Sequence, residues 1–132
     1  MVEMIDPKLK FRFIWLLVGY SLVSLVIYLS LTSRPVDVDI GVPFSDKLFH
    51  ALAYFSLMIW FSQIYHVKLK RNVIALVFIV MGILLEYLQS FDPARSSEVA
   101  DMVANTTGVA LGFYLALSQA KNCLVIFEDW IN

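Results

Sequence analysis

The sequence predicts an all-α membrane protein, a bundle of four transmembrane helices with both termini in the cytoplasm. Three observations lead there: an apolar excess, four long apolar runs, and a lopsided distribution of Lys and Arg. Hydrophobic residues make up 60 % of the 132 residues and charged residues only 16 %. Ordinary soluble domains carry about 45–50 % and about 25 %. A water-soluble chain this small has much surface for its volume and needs more polar covering than that. Lipid removes the need. The length suits one domain, residues 1–132. A net charge of −1 supplies no field for nucleic acid. The single Cys123 excludes an internal disulfide and reads as buried filler beside an apolar run.

The first run, Phe13 to Leu31, contains no charge. Nineteen residues at about 1.5 Å each cover roughly 28 Å, close to the thickness of a bilayer core. It follows Lys8, Lys10 and Arg12 like the core of a signal peptide. It is longer than the usual ~7–15 apolar residues, however, and Thr32-Ser33-Arg34-Pro35 is a poor cleavage site, so it reads as a retained anchor. The second run, Leu48 to Tyr65, is interrupted by His50; the third, Val73 to about Leu88, carries Glu86 near its end; the fourth, about Met102 to Leu117, carries Asn105 near its start.

Orientation follows from Lys and Arg, which accumulate in cytoplasmic loops. With four spans, Lys8, Lys10, Arg12, Lys68, Lys70, Arg71 and Lys121 fall on one side, and only Arg34, Lys47 and Arg95 on the other. The first side is therefore predicted to be cytoplasmic. The opposite side holds Asp37, Asp39, Asp46, Asp92, Glu98 and Asp101.

Local signals suit these boundaries. Asp6-Pro7 fits an N-cap and first helical position leading into the first span. Ser45 and Ser96 are placed to cap the second and fourth, with Asp46 and Glu98 in first turns where the helix dipole favours an anion. Pro35, Gly41 and Pro43 make residues 32–43 an irregular outer loop. The tail CLVIFEDWIN is too short to span and is expected at the inner interface, anchored by Trp130.

Polar groups within membrane helices are costly, so their positions are informative. Asp46, His50 and Tyr54 follow at i, i+4 and i+8 on one face of the second span, with Lys47 beside His50. One reading has Asp46 orienting the His50 imidazole; the other is a helix cap plus an interfacial histidine. Glu86 and Gln89 share a face of the third span, and Glu86 lies about a turn inside the apolar run, where it needs protein, water or a basic partner such as His50, Lys47 or Arg95. Asp101 and Asn105 open the fourth span, and Gly108 and Gly112 continue near that stripe as a close-packing face. The sequon Asn105-Thr106-Thr107 lies inside a span, which argues against glycosylation. Three helix ends at one depth thus supply Asp46, Lys47, His50, Glu86, Gln89, Arg95, Asp101 and Asn105, predicted to converge on one outward-facing polar pocket.

These blocks resemble the VanZ-like family of bacterial membrane proteins. Asp46-Lys47 with His50 and Tyr54, then Glu86, Gln89, Pro93 and Arg95, then Asp101, Asn105, Gly108 and Gly112 match its pattern of DK–H, E–Q–P–R and D–N–G–G. The resemblance covers residues 46–112, about half the chain. It implies a multi-pass protein of the bacterial inner membrane working at the cell envelope. The family is named for a protein associated with resistance to the glycopeptide teicoplanin, but many members sit far from any resistance system.

Two function classes compete. In the first, an envelope binding or accessory protein, the pocket holds a lipid headgroup, a lipid-linked wall precursor or a glycopeptide. Lys47 and Arg95 would take an anionic group, and the carboxylates and amides would take sugar or peptide. In the second, a membrane hydrolase or transferase, His50, Glu86 and Asp101 are the catalytic candidates, with Asp46 as a further carboxylate. No HExxH, serine elbow or phosphate-cradling glycine loop supports it, one histidine makes a thin metal site, and neither metal nor cofactor is expected. A purely structural role for the polar groups is the bland alternative.

Overall fold

A computed structural model describes residues 5–32, 45–93 and 97–132. Among them there are helices and turns and no strand. The helices are α1 (Arg12–Leu31), α2 (Ser45–Ile64), α3 (Lys68–Gln89), α4 (Val99–Leu115) and α5 (Cys123–Ile131), the last preceded by a 3₁₀ turn over Gln119–Asn122. The α2–α3 connection takes only Tyr65–Val67, so these two are antiparallel neighbours.

Helix α2 is the centre, packed by α1, α3 and α4. Its inward side chains Tyr54, Leu57, Met58 and Phe61 meet Phe78 of α3 and Val109 of α4 in one buried core. Phe61 stacks edge-on with Phe78 at 5.6 Å between centroids and with Tyr20 of α1 at 5.5 Å. Packing against α4 is closest, because Gly108 and Gly112 present no side chain to the α2 backbone.

The outer surface is inverted for water. Leu17, Leu25, Leu76, Val77, Leu84, Val103, Leu111 and Tyr114 are all exposed, more apolar surface than a soluble monomer tolerates. Small hydroxyls scattered on these faces are self-satisfied. Ser21 Oγ donates to the Leu17 carbonyl, Ser24 to Tyr20, Ser56 to Leu52 and Thr107 Oγ1 to Val103, at 2.7–2.9 Å. Such back-bonding to i−4 suits helices whose surroundings offer no water.

Of the four expected spans, α1 and α3 are long and apolar enough to cross a membrane by length and composition; a third appears if α4 and the tail are taken together across an 81° bend. Helix α4 has only 17 residues, and α2 carries Asp46, Lys47 and His50 in its first two turns. The polar ends that make these helices interesting are what dilute their apolar signal.

Three local expectations are corrected. Asp6 does not cap the helix that follows it: α1 begins later, after Phe11. The Asp6 carboxylate instead accepts the His66 and Val67 backbone N–H groups at 2.9 and 3.1 Å and the Lys70 ammonium at 2.6 Å, tying the N-terminal arm to the entry of α3. Glu98 is the N-cap residue of α4 rather than a member of its first turn. Cys123 is exposed, not filler, because α5 turns away from the axis of α4. Helix α2 opens at Ser45 itself; the Ser96 cap and the loop with Pro35, Gly41 and Pro43 lie outside the described residues.

Candidate functional site

Four helix ends meet at one end of the bundle: the N-termini of α2 and α4 and the C-termini of α1 and α3. The antiparallel topology makes this unavoidable, and the sequence places its polar residues there. Lys47 is the hub. Its ammonium lies 2.7 Å from Asp46 Oδ2, 2.8 Å from Glu98 Oε2 and 3.0 Å from Asp101 Oδ1, so α2 is joined to the start of α4 by a tripod of carboxylates. Asp46 and Glu98 remain accessible to solvent, whereas Asp101 is only 5 % exposed.

A second layer lies beneath. His50 Nδ1 meets Asn105 Oδ1 at 3.0 Å. Asp46 therefore does not orient this imidazole; the neighbouring ammonium holds the carboxylate, and an amide holds the ring. The amide is neutral, so it gives His50 no acid–base dyad. Glu86, 1 % exposed, uses Oε1 to accept the Glu98 backbone N–H at 2.9 Å, and its own carbonyl accepts the Ser97 hydroxyl at 3.0 Å. The buried carboxylate thereby caps the start of α4, satisfying an orphan donor. It lies within hydrogen-bonding reach of Asp101 and electrostatic reach of His50.

Gly82 opens α3 for this layer. A Cβ there would stand 3.1 Å from Asn105 Cβ and 3.3 Å from both Asn105 Nδ2 and Tyr54 Cε1. Tyr54 is 3 % exposed, and its hydroxyl has no hydrogen-bond partner among the described residues. Helical side chains lean towards the N-terminus, so this hydroxyl leans back towards the polar end, within electrostatic reach of Glu86.

The structure thus brings together Asp46, Lys47, His50, Glu86, Asp101 and Asn105. Gln89 points elsewhere: its Nε2 donates to the Ser30 carbonyl at 2.7 Å and ties α3 to the end of α1. Arg95 lies outside the described residues. Glu98 and the Tyr54 hydroxyl join the site without having been among its predicted residues. Both were signalled, Glu98 by its i, i+3 spacing from Asp101 and Tyr54 by its i+8 spacing from Asp46.

An all-helical membrane protein with a layered cluster of acidic, basic and amide side chains at one end of its bundle is the class defined by this fold and site. The VanZ/LLP1 family model matches residues 4–124, and the chain belongs to that family. No curated protein and no solved structure matches it.

Proposed function

We propose that this VanZ-family protein crosses the bacterial inner membrane four times and binds a polar headgroup of the cell envelope in a pocket open to the outer face. The reading rests on one observation above all. Glu86, Asp101 and Asn105 are each at most 5 % exposed, yet they gather with Lys47 and His50 at a single helix-bundle end. A headgroup carried by a lipid or a lipid-linked wall precursor arrives at that depth. Both termini then lie in the cytoplasm, with α5 along the inner interface and Trp130 as its anchor; the 81° bend after α4 and the 80 % exposure of Trp130 support that placement.

Orientation is tested with the chain's one cysteine. In intact spheroplasts, Cys123 should resist a membrane-impermeant maleimide. A Cys123→Ser, Ser90→Cys variant should be labelled, because Ser90 is exposed at the opposite end. The reverse pattern would invert the topology.

The pocket is tested by the melting temperatures, in mild detergent, of Glu86→Gln and Asp101→Asn. Among the described residues, three carboxylates here face one ammonium with the buried Glu86 beside them, and like charges crowded together repel. Both amides keep an acceptor for the Glu98 N–H or for Lys47. A binding pocket predicts that both variants melt at or above wild type. A sharp fall in both would make the carboxylates interhelical fasteners and remove the pocket.

A further inference from the structure

Resting on the pocket reading, we infer that the ligand's recognised group is a primary ammonium, and that Lys47 occupies its place in the resting protein. The tripod around Lys47 is the first reason. Three carboxylate oxygens from three residues surround one –NH₃⁺ at 2.7, 2.8 and 3.0 Å, as many acceptors as an ammonium has donors, of which Asp46 and Glu98 take aligned hydrogen bonds from Lys47. A phosphate would meet only like charge in that cup, where the Lys47 ammonium is held among three carboxylates.

The charge of the whole face agrees. Among the described residues, this end of the bundle holds Asp46, Glu86, Asp92, Glu98 and Asp101 against Lys47. The face attracts cations, and such a field raises their local concentration.

Two buried atoms point to an occupant other than Lys47. Asp101 Oδ1 has the Lys47 ammonium at 3.0 Å but no aligned hydrogen bond, so a better-placed N–H donor has an acceptor waiting. Among the described residues the Tyr54 hydroxyl, within electrostatic reach of Glu86, has no acceptor, and burying such a group unpaired costs free energy. A ligand bringing both an ammonium and an oxygen satisfies each. Lys47 can yield, because its side chain is partly exposed and its ammonium sits on a flexible four-carbon stem. Once released, it stands beside any phosphate that the ligand carries near its amine.

The test uses the full-length protein in uncharged maltoside detergent and reads melting temperature. Lysophosphatidylethanolamine, lysophosphatidylglycerol and lysophosphatidylcholine are compared at equal concentration. A parallel arm compares a soluble lysyl-D-alanyl-D-alanine peptide carrying a free side-chain amine with its acetylated form. Only compounds with a primary amine should stabilise, by about 3 °C or more at tenfold excess over Kd. The arm that responds names the source, lipid or wall peptide.

Lys47→Met empties the tripod. Its melting temperature should fall and be restored by ethylammonium at tens of millimolar but not by tetramethylammonium, which has no N–H to donate. If this variant does not fold, the wild-type comparison decides alone. Stabilisation by lysophosphatidylglycerol or lysophosphatidylcholine equal to that by lysophosphatidylethanolamine, with no response to the free-amine peptide, would overturn the ammonium assignment and leave the pocket standing. No response to any compound would overturn both.

Discussion

Gly108→Ala should be the most damaging methyl group that can be added to this protein. A Cβ at Gly108 would stand 2.1 Å from the Ala51 carbonyl oxygen, 2.9 Å from its carbonyl carbon and 3.0 Å from the Phe55 nitrogen. All three are backbone atoms of α2, so no rotamer change relieves the clash; α2 and α4 must separate. Separation also pulls apart the Lys47–Asp101 pair at 3.0 Å and the His50–Asn105 contact at 3.0 Å, both of which cross the same seam. Overpacking typically costs about 1–3 kcal/mol, and a backbone clash of this depth belongs above that range. The expected result is little or no monodisperse protein after detergent extraction, measured by fluorescence-detected size exclusion. Gly112→Ala should cost less, because its nearest atom is the Met58 Cβ at 2.9 Å, followed by the Phe55 carbonyl oxygen at 3.0 Å. Gly82→Ala should be milder again, since the atoms it meets, at 3.1–3.3 Å, belong to the side chains of Asn105 and Tyr54. Equal yields for Gly108→Ala and Gly82→Ala would disprove this account of the seam.

That seam was legible in the sequence because it is a local pattern. Small residues four apart on one helix announce a close approach whatever the partner. The positions of the polar ends were legible for the same reason: helix periodicity puts Asp46, His50 and Tyr54 on one face, and Asp101 and Asn105 on another. Partner choice was not legible. Asp46 and His50 are correctly spaced to pair, but an adjacent ammonium makes a stronger charge-assisted contact with a carboxylate than a neutral imidazole does. Lys47 therefore takes Asp46, at 2.7 Å, and His50 turns to an amide on another helix. Gln89 shares the face of Glu86, yet the end of α1 offers it a free carbonyl at 2.7 Å. Carbonyls at helix C-termini are orphans that any nearby donor can satisfy, and no sequence spacing shows which donor arrives.

The opposite end of the bundle carries the same lesson further. Asp6 serves α3, some sixty residues away in sequence, and Glu128 serves α1 from the far end of the chain. Asp6 lies beside Pro7, a helix-start signal of its own, and local reading assigns it to the wrong helix; Glu128 lies within α5. Long-range caps exist only once the bundle has formed, so they leave no periodicity to read.

Glu128→Ala should accordingly be the second most damaging change, although it lies outside every motif. The Glu128 carboxylate accepts the Lys10 backbone N–H at 2.6 Å, the Phe11 N–H at 2.9 Å and the Trp15 indole N–H at 2.6 Å. It supplies the cap that α1 lacks locally, since Phe11 at the N-cap offers no side-chain acceptor. Hydrogen bonds to a charged partner are each worth about 1.5–3 kcal/mol, so losing three at once should cost at least about 3 kcal/mol. Glu128→Gln keeps an acceptor and should cost roughly half that. Burial pushes this carboxyl up, but the N–H groups of Phe11, Trp15 and Lys10 outweigh it and hold the group below the usual carboxylate range. Asp6 is lowered in the same way, burial being outweighed by Lys70 and the Val67 and His66 N–H groups. A depressed folded pKa means that the stabilisation is complete above the unfolded value, ~4.3 for Glu, and is lost as pH falls through the folded one. The gap in melting temperature between wild type and Glu128→Gln should therefore be constant from pH 7 to about 5 and narrow progressively as pH falls below the unfolded value. A gap that does not narrow at all below the unfolded value would mean that Glu128 holds α1 by shape rather than by charge.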